Sequence, residues 1–267
     1  MSEKTNQTTT NTNIRSEIQE WDDPALDLRP NLLRGVYAFG FEKPSPIQKK
    51  GLIPLVQPGC KGKRRDIIAQ AQSGTGKTGT FVVGTLQMLN EKDNSLQALI
   101  MAPTHELARQ IKTVLDAIGR YLKINSLLLV GGTSVENDKK LLLNNKYQVI
   151  VGTPGRIQDM IRRKCLKTKT LKLLVIDEAD EMLSSGFKEQ ISKIFSSMPE
   201  TLKIGLFSAT LPDELLEITK LFMESPIKIL VKNEELTLQG ISQYYVNVNS
   251  DSDKYETLKD IFATITI

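Results

Sequence analysis

An α/β fold, with a mostly parallel β-sheet and helices on both faces, is predicted from three features of this chain. Short, unbroken apolar runs alternate with longer segments of helical spacing. Each apolar run ends in small, polar or acidic residues that lead into a helical stretch. No internal repeat competes with that pattern. Strands buried on both faces read as continuous apolar stretches, and parallel strands need crossover helices between them. Right-handed crossovers bring every strand-to-helix loop to one edge of the sheet, where open α/β sheets bind ligands.

The elements follow in order. The opening MSEKTNQTTTNTN is polar, lacks the apolar core of a signal peptide, and makes residues 1–20 an expected disordered tail. Helices are expected in LLRGVYAF, from Leu32, and in PIQKKGLIPLV, the second stopped by Pro54 and Pro58. QPGCKGKRR reads as a surface loop. Then DIIAQ precedes GKTGTFVVGTLQML, QALIMAP precedes THELARQIKTVLDAIGRYL, and SLLLVGG precedes SVENDKKLLL. QVIVGTP precedes GRIQDMIRR, LKLLVID precedes EADEML and FKEQISKIF, KIGLFSAT precedes PDELLEITKLF, and IKILV closes the series. After Val231, ISQYYVNV alternates like a half-buried strand, and DKYETLKDIFATI, from Asp253, has helical spacing. Residues 21–232 are thus expected to form one domain, and 233–267 a linker and the start of a second. The other reading packs that last strand and helix on the first domain.

Composition narrows the class. Cys60 and Cys165 lie far apart without metal-ligand spacing, which points to a reducing compartment; a cytoplasmic location and a monomer are expected. No apolar run approaches a membrane span. A net charge of +4 permits a nucleic-acid partner, and a mildly basic surface explains it equally well.

The strongest local signal is AQSGTGKT, Ala71, Gln72, Ser73, Gly74, Thr75, Gly76, Lys77 and Thr78. It departs from G-x-x-x-x-G-K-[ST] only at Ala71, and it has the required strand before and helix after. Gly74 and Gly76 let successive backbone N–H groups curl around an anion, with the positive end of the helix aimed at the same point. Lys77 is placed to reach β- and γ-phosphates and the Thr78 hydroxyl to hold Mg²⁺. A nucleoside triphosphate with its metal also explains LLVIDEADEML. Buried carboxylates are costly without a cation. Asp177, at the strand end, would hold the metal directly or through water, and Glu178 would orient and deprotonate the attacking water. Asp180 and Glu181 are also explained as acidic residues favoured at a helix start.

With those motifs in hand, the ordered set GFEKPSPIQ, AQSGTGKT, PTHELA, GG, TPGR, DEAD and SAT resembles the DEAD-box RNA helicases. VIDEADEMLSSGFKEQI and ILVKNEELTLQGISQYYVNV are similar to the eukaryotic translation initiation factor 4A group. The resemblance covers roughly Trp21 to Ile267 and implies a RecA-like P-loop NTPase fold, ATP and Mg²⁺ as cofactors, and RNA as partner. It implies that Gln48 reads the adenine edge while Phe41 stacks on the ring. It further implies that Ser208, Ala209 and Thr210 couple the nucleotide site to RNA through hydrogen bonds to the DEAD segment around Asp180. Pro103, Thr104, His105, Gly131, Gly132, Thr153, Pro154, Gly155 and Arg156 would form the RNA side. Backbone N–H groups, hydroxyls and one guanidinium suit phosphates and ribose, so RNA binding independent of sequence is implied.

Three departures stand out against the family. His105 replaces the usual Arg in PTREL, which implies weaker RNA binding that depends on pH, or a residue that merely caps or packs locally. Trp21 resembles the aromatic residue that precedes the adenine motif, although the stretch to Gly40 is about two residues longer than the group's. CKGKRR resembles an insertion, and both it and RRKCLKTKTLK read as solvated loops or as RNA contacts. The family's second RecA-like domain, with its arginine fingers, is expected as a partner, together with translation initiation factors. The chain alone is expected to hydrolyse ATP slowly. The alternative is a catalytically idle module that binds RNA or a protein partner.

Overall fold

The computed structural model describes residues 17–57, 65–183, 187–230 and 244–265. The chain divides into two compact units, with the boundary between Leu236 and Thr237.

In the first unit, helices α1 (Pro30–Ala38) and α2 (Pro46–Val56) precede a regular alternation. It runs β1 (Ile67–Gln70), α3 (Lys77–Met88), β2 (Ala98–Met101), α4 (His105–Ile118), β3 (Ser126–Leu129), α5 (Val135–Asn144), β4 (Val149–Gly152) and α6 (Pro154–Arg162). It continues through β5 (Leu173–Ile176), α7 (Ala179–Leu183), α8 (Lys188–Phe195), β6 (Lys203–Ser208), α9 (Asp213–Thr219) and β7 (Ile227–Leu230). Every apolar run singled out above is a strand. The seven strands lie in the order β3-β4-β2-β5-β6-β1-β7, and every pairing is parallel.

Strand alternation divides the interior into two layers. Leu173 and Val175 of β5 pack with Trp21, Leu32, Ile47, Phe81 and Ile118 on the face covered by α1 to α4. Leu174 and Ile176 pack with Ile157, Met160, Met182, Ile194 and Leu215 on the opposite face, covered by α6 to α9. The five inner strands are buried on both faces and carry no polar alternation, whereas the edge strand β7 leaves Lys228 and Leu230 exposed.

Three expectations are corrected. Pro54 does not stop α2. It lies inside the helix, which continues to Val56. The exposed end is held instead by Lys203, whose Nζ donates to the carbonyls of Pro54 and Gln57 at 2.8 and 2.9 Å; Pro58 lies outside the described residues. The core also begins before Trp21. Ile18 is fully buried and its N–H donates to the Lys49 carbonyl at 3.0 Å, because a lone apolar side chain in a polar stretch found a slot beside α2. In the second unit, Tyr244 to Val248 form no strand, and Ile241 to Gln243 lie outside the described residues. Alternation makes a strand only where a neighbour accepts its ladder, and none does so among the described residues. Helix α10 (Asp251–Thr264) stands where helical spacing was expected, its start capped by Ser250, which accepts from the Asp253 N–H at 3.3 Å.

Candidate functional site

The loop after β1 owes its shape to two glycines. Gly74 has φ +81° and Gly76 φ +104°, both in the left-handed region where a side chain is strained. Gly76 closes the turn as the residue before α3, so the first N–H groups of α3 face the loop's concavity. Ala71, at the position of the missing glycine, is fully buried and its N–H donates to the Ser208 carbonyl at 3.0 Å. A methyl group therefore fits there. The Thr75 hydroxyl donates to the Gln72 carbonyl at 2.6 Å, fastening the loop from within.

β6 separates β1 from β5, so the acidic turn stands two strand spacings away, about 10 Å. Lys77 bridges that gap. Its ammonium, 5% exposed, donates to both carboxylate oxygens of Glu178 at 3.1 Å. Glu178 holds φ +45°, a left-handed conformation costing roughly 1–2 kcal/mol for an ordinary L-residue, which turns the chain from β5 directly into α7. Asp177 sits just past β5, its N–H donating to the Met101 carbonyl at 2.9 Å. Its carboxylate is 4% exposed, and Oδ1 has no hydrogen-bond partner. Burial first, then the neighbouring Glu178, push its pKa up to about 7, against the pull of Lys77. Ser73, Gly74, Gly76, Lys77, Thr78, Asp177 and Glu178 all line one cleft of about 280 Å³.

Strand β6 ends between the two loops and ties them together. The Ser208 hydroxyl accepts from the Asp180 N–H at 3.3 Å, and the Thr210 hydroxyl donates to the Asp180 carboxylate at 2.5 Å. Burial raises the Asp180 pKa, but these hydrogen bonds outweigh it and hold the group below its ordinary value. Gln70 donates to the Ala209 carbonyl at 3.2 Å, so the same three residues touch the β1 side as well.

At the other end of the cleft, the Gln48 amide is held in one orientation. Its oxygen accepts from the Ser45 N–H at 2.7 Å and its Nε2 faces the Gly76 carbonyl at 3.4 Å. Phe41 stacks on Trp21 with ring centroids 5.8 Å apart and planes 8° from parallel. Trp21 is wholly buried, so it supports Phe41 from behind rather than facing the cleft. Gly79 was not singled out in the sequence. A Cβ there would lie 2.6 Å from Gln48 Nε2 and 2.9 Å from Phe41, so only glycine leaves room for these two groups: Phe41 lining the cleft and Gln48 buried behind it, 3% exposed. Gln110 and Val114 of α4 also line the cleft, on a helix whose spacing alone marked only its buried face.

The remaining candidates gather on the other half of the edge, after β2, β4 and β3. Thr104 caps α4 by accepting from the Leu107 N–H at 3.2 Å, Pro103 is buried, and His105 is exposed. The His105 ring lies over Gly131, where a Cβ would come within 2.9 Å of Nε2. Gly132 has φ +76°. Thr153 and Pro154 are buried at the start of α6, while Gly155 is exposed. Arg156 does not project from this edge. It is 8% exposed, forms an ion pair with Asp138 of α5, and donates to the Thr133 hydroxyl and carbonyl at 2.9 and 2.8 Å. Asp138, missed in the sequence, is 4% exposed, and its one signal was an acid in an otherwise apolar helical slot between Val135 and Leu141. This pair joins the loop 131–133 to the loop 153–156. Residues 60–64 of the expected insertion lie outside the described residues, as does Cys60.

A glycine loop and an acidic turn two strands apart on a parallel sheet make the first unit a P-loop nucleotide-binding domain of the RecA-like class. The family model described as DEAD/DEAH box helicase matches residues 45–218, and the chain belongs to that family. It is 53% identical over 243 residues to eukaryotic initiation factor 4A-3 of Arabidopsis thaliana, covering 91% of this chain and 57% of that protein. It is 48% identical over 256 residues to the ATP-dependent RNA helicase eIF4A of Candida albicans, covering 96% and 62%. Among solved structures it is similar to Saccharomyces cerevisiae Dbp5 bound to RNA and ADP BeF3, with a TM-score of 0.82, 36% identity, and coverage of 94% of this chain and 61% of that one. The chain thus spans about three fifths of the length of these relatives. Among the described residues, no helix is long and apolar enough to cross a membrane.

Proposed function

We propose that this chain is the ATP-binding half of an ATP-dependent RNA helicase that opens RNA locally and serves translation initiation in the cytoplasm. The observation that carries the reading is the cross-cleft pair of Lys77 and Glu178, 3.1 Å apart, beside a buried Asp177 with an unpartnered oxygen. The Glu178 carboxylate neutralises Lys77 in this structure. A triphosphate would take over that role, its β- and γ-phosphates held by the N–H groups of the loop and by the Lys77 ammonium. Glu178 is then free to accept a proton from the attacking water. Phe41 would cover the adenine ring; Gln48, 3% exposed and bonded to the Ser45 N–H and the Gly76 carbonyl, keeps one amide hydrogen and one oxygen lone pair that would suit the adenine N7 acceptor and N6 donor once the side chain turns toward the cleft.

Magnesium fits the residues present. Asp177 Oδ1 and the Thr78 hydroxyl are hard oxygen donors on one cleft, and Mg²⁺ typically rests on one or two protein oxygens plus substrate phosphates. When bound, it would supply positive charge to the transferring phosphoryl group. The RNA backbone would lie along the loops after β2, β4 and β3, where the starts of α4, α5 and α6 favour negative charge. Ser208 and Thr210, bonded to Asp180, would report the state of the nucleotide to that edge. A second RecA-like domain would supply arginine fingers and the rest of the RNA site.

RNA-stimulated ATP hydrolysis is measured on this chain alone, with a second RecA-like domain supplied, and again with Glu178→Gln. Hydrolysis that rises with the second domain and vanishes in the variant, while nucleotide binding persists, is expected. RNA binding with no hydrolysis under either condition would instead identify the idle binding module.

A further inference from the structure

A second cavity, of about 550 Å³, is larger than the nucleotide cleft and lies at the opposite rim of the sheet, where β2 and β4 begin. Its walls are Leu96, Leu142, Leu143, Tyr147, Ile150 and Leu166. Leu143 is 70% exposed at its lip, and Leu142 and Tyr147 are half-buried, so the site presents apolar surface to solvent. The walls are pinned rather than loose. The Thr170 hydroxyl donates to the Leu96 carbonyl at 2.8 Å, and Gln148 donates to Asn94 at 3.4 Å.

The surroundings are cationic. Lys146 and Lys167 line the cavity, and Lys140, Lys164 and Lys169 are one or two residues from residues that line it. All five are exposed, and none has an ion-pair partner among the described residues. The one carboxylate on the wall, Asp93, is already engaged by Lys172 at 3.5 Å. Neighbouring Arg162 and Arg163 are different, since both are paired with the Asp159 carboxylate, at 2.6 and 2.8 Å. The excess positive charge therefore sits around the cavity mouth. Nothing in the nucleotide reaction uses it.

We propose that this rim cavity is a docking site for an acidic peptide segment of a partner protein, with one bulky aliphatic or aromatic side chain seated against Leu142, Leu143 and Tyr147. Charge complementarity selects the flanks, since Asp and Glu residues would face unpaired lysines. The apolar walls select a peptide over RNA: a phosphate chain needs cations and backbone donors but leaves a leucine-lined pocket unfilled, whereas a single buried side chain supplies most of a peptide's binding energy. The site stands at the opposite rim from Lys77 and Asp177, so a partner held there leaves the nucleotide cleft open.

The test selects displayed random short peptides against the full chain. The enriched sequences are synthesised with a fluorophore and titrated by anisotropy. The expected peptides carry one Leu, Phe, Tyr or Trp flanked by Asp or Glu, and bind more weakly as salt rises. Leu143→Asp, at an exposed position, and the double variant Lys146→Glu/Lys167→Glu each weaken them about tenfold or more, with thermal stability and ATP binding unchanged. Failure to enrich such sequences would overturn the proposal, as would affinity that survives Leu143→Asp. So would a fluorescent oligouridylate RNA that competes for the site and loses affinity in the same variant.

Discussion

Removing the Asp138 carboxylate tests whether the loops 131–133 and 153–156 are held by one buried charge pair. The Asp138 and Arg156 side chains are 6% and 7% exposed, so Asp138→Ala leaves a guanidinium in the interior without its counter-ion. Breaking a buried pair from one side costs about 3–5 kcal/mol. Arg156 would keep its two bonds to Thr133, at 2.9 and 2.8 Å, so the expected loss lies at the low end, about 3 kcal/mol. For a unit of this size that is a fall in Tm of roughly 6–12 °C. Differential scanning calorimetry reads it directly. The control is Asp138→Leu with Arg156→Met, which removes both charges and should recover most of the loss, because a well-packed apolar pair often replaces a buried ion pair at little cost. RNA affinity should fall in the single variant through misplaced loops even at temperatures where the fold is intact. A single variant that loses less than about 1 kcal/mol, or a double variant as unstable as the single one, would refute the claim that this pair carries charge balance across the two loops.

Two other outcomes follow from the site. Asp177 holds its proton more tightly in the folded chain, at about 7, than in the unfolded chain near 3.8, so its cost is absent below the lower value and is fully present above the higher one. Stability from this group therefore falls as pH rises between them, by at most roughly 4 kcal/mol, and Asp177→Asn should gain over the native chain in urea midpoint from about pH 5 to pH 8; a difference that stays flat or shrinks would contradict the assignment. His105→Arg should tighten single-stranded RNA binding at about pH 7.5, because a guanidinium is always charged and grips phosphate in two places, and an unchanged Kd in a filter-binding assay would leave His105 as a residue that only packs over Gly131.

The strands and the phosphate loop were legible because both are written in local chemistry. A run such as LLVI admits little but a strand dry on both faces, and Gly74 and Gly76 stand where the backbone demands positive φ. The helix end at Val56 was not legible, because the terminal carbonyls of Pro54 and Gln57 are satisfied by Lys203, a residue 149 positions from Pro54. The fate of Arg156 was hidden for the same reason. TPGR advertises a basic residue at a loop, while the acid that neutralises it comes from α5, 18 residues earlier, in a stretch rich in lysine. Trp21 could be matched to an aromatic position, but its place behind Phe41 rather than beside the cleft is a matter of packing across three elements.

Sheet order also explains how a chain with interleaved motifs can keep the two proposed sites apart and still connect them. The loops after β1, β6 and β5 are neighbours, and they hold the glycine loop and acidic turn proposed for the phosphates. The loops after β2, β4 and β3 are neighbours on the other half, and they hold every residue proposed for RNA except the buried Arg156, which braces them. The halves meet at a single seam, β5 against β2, where the Asp177 N–H donates to the Met101 carbonyl two residues before Pro103. A shift of Asp177 toward a bound cation would therefore be felt at the start of α4 through one hydrogen bond and one strand spacing, about 5 Å. On the other side of β5, within the first half, Thr210 and Ser208 at the end of β6 hold Asp180. The acidic turn is thus gripped by β2 on one side and β6 on the other, which accounts for carboxylates standing at the end of a strand that is otherwise wholly apolar.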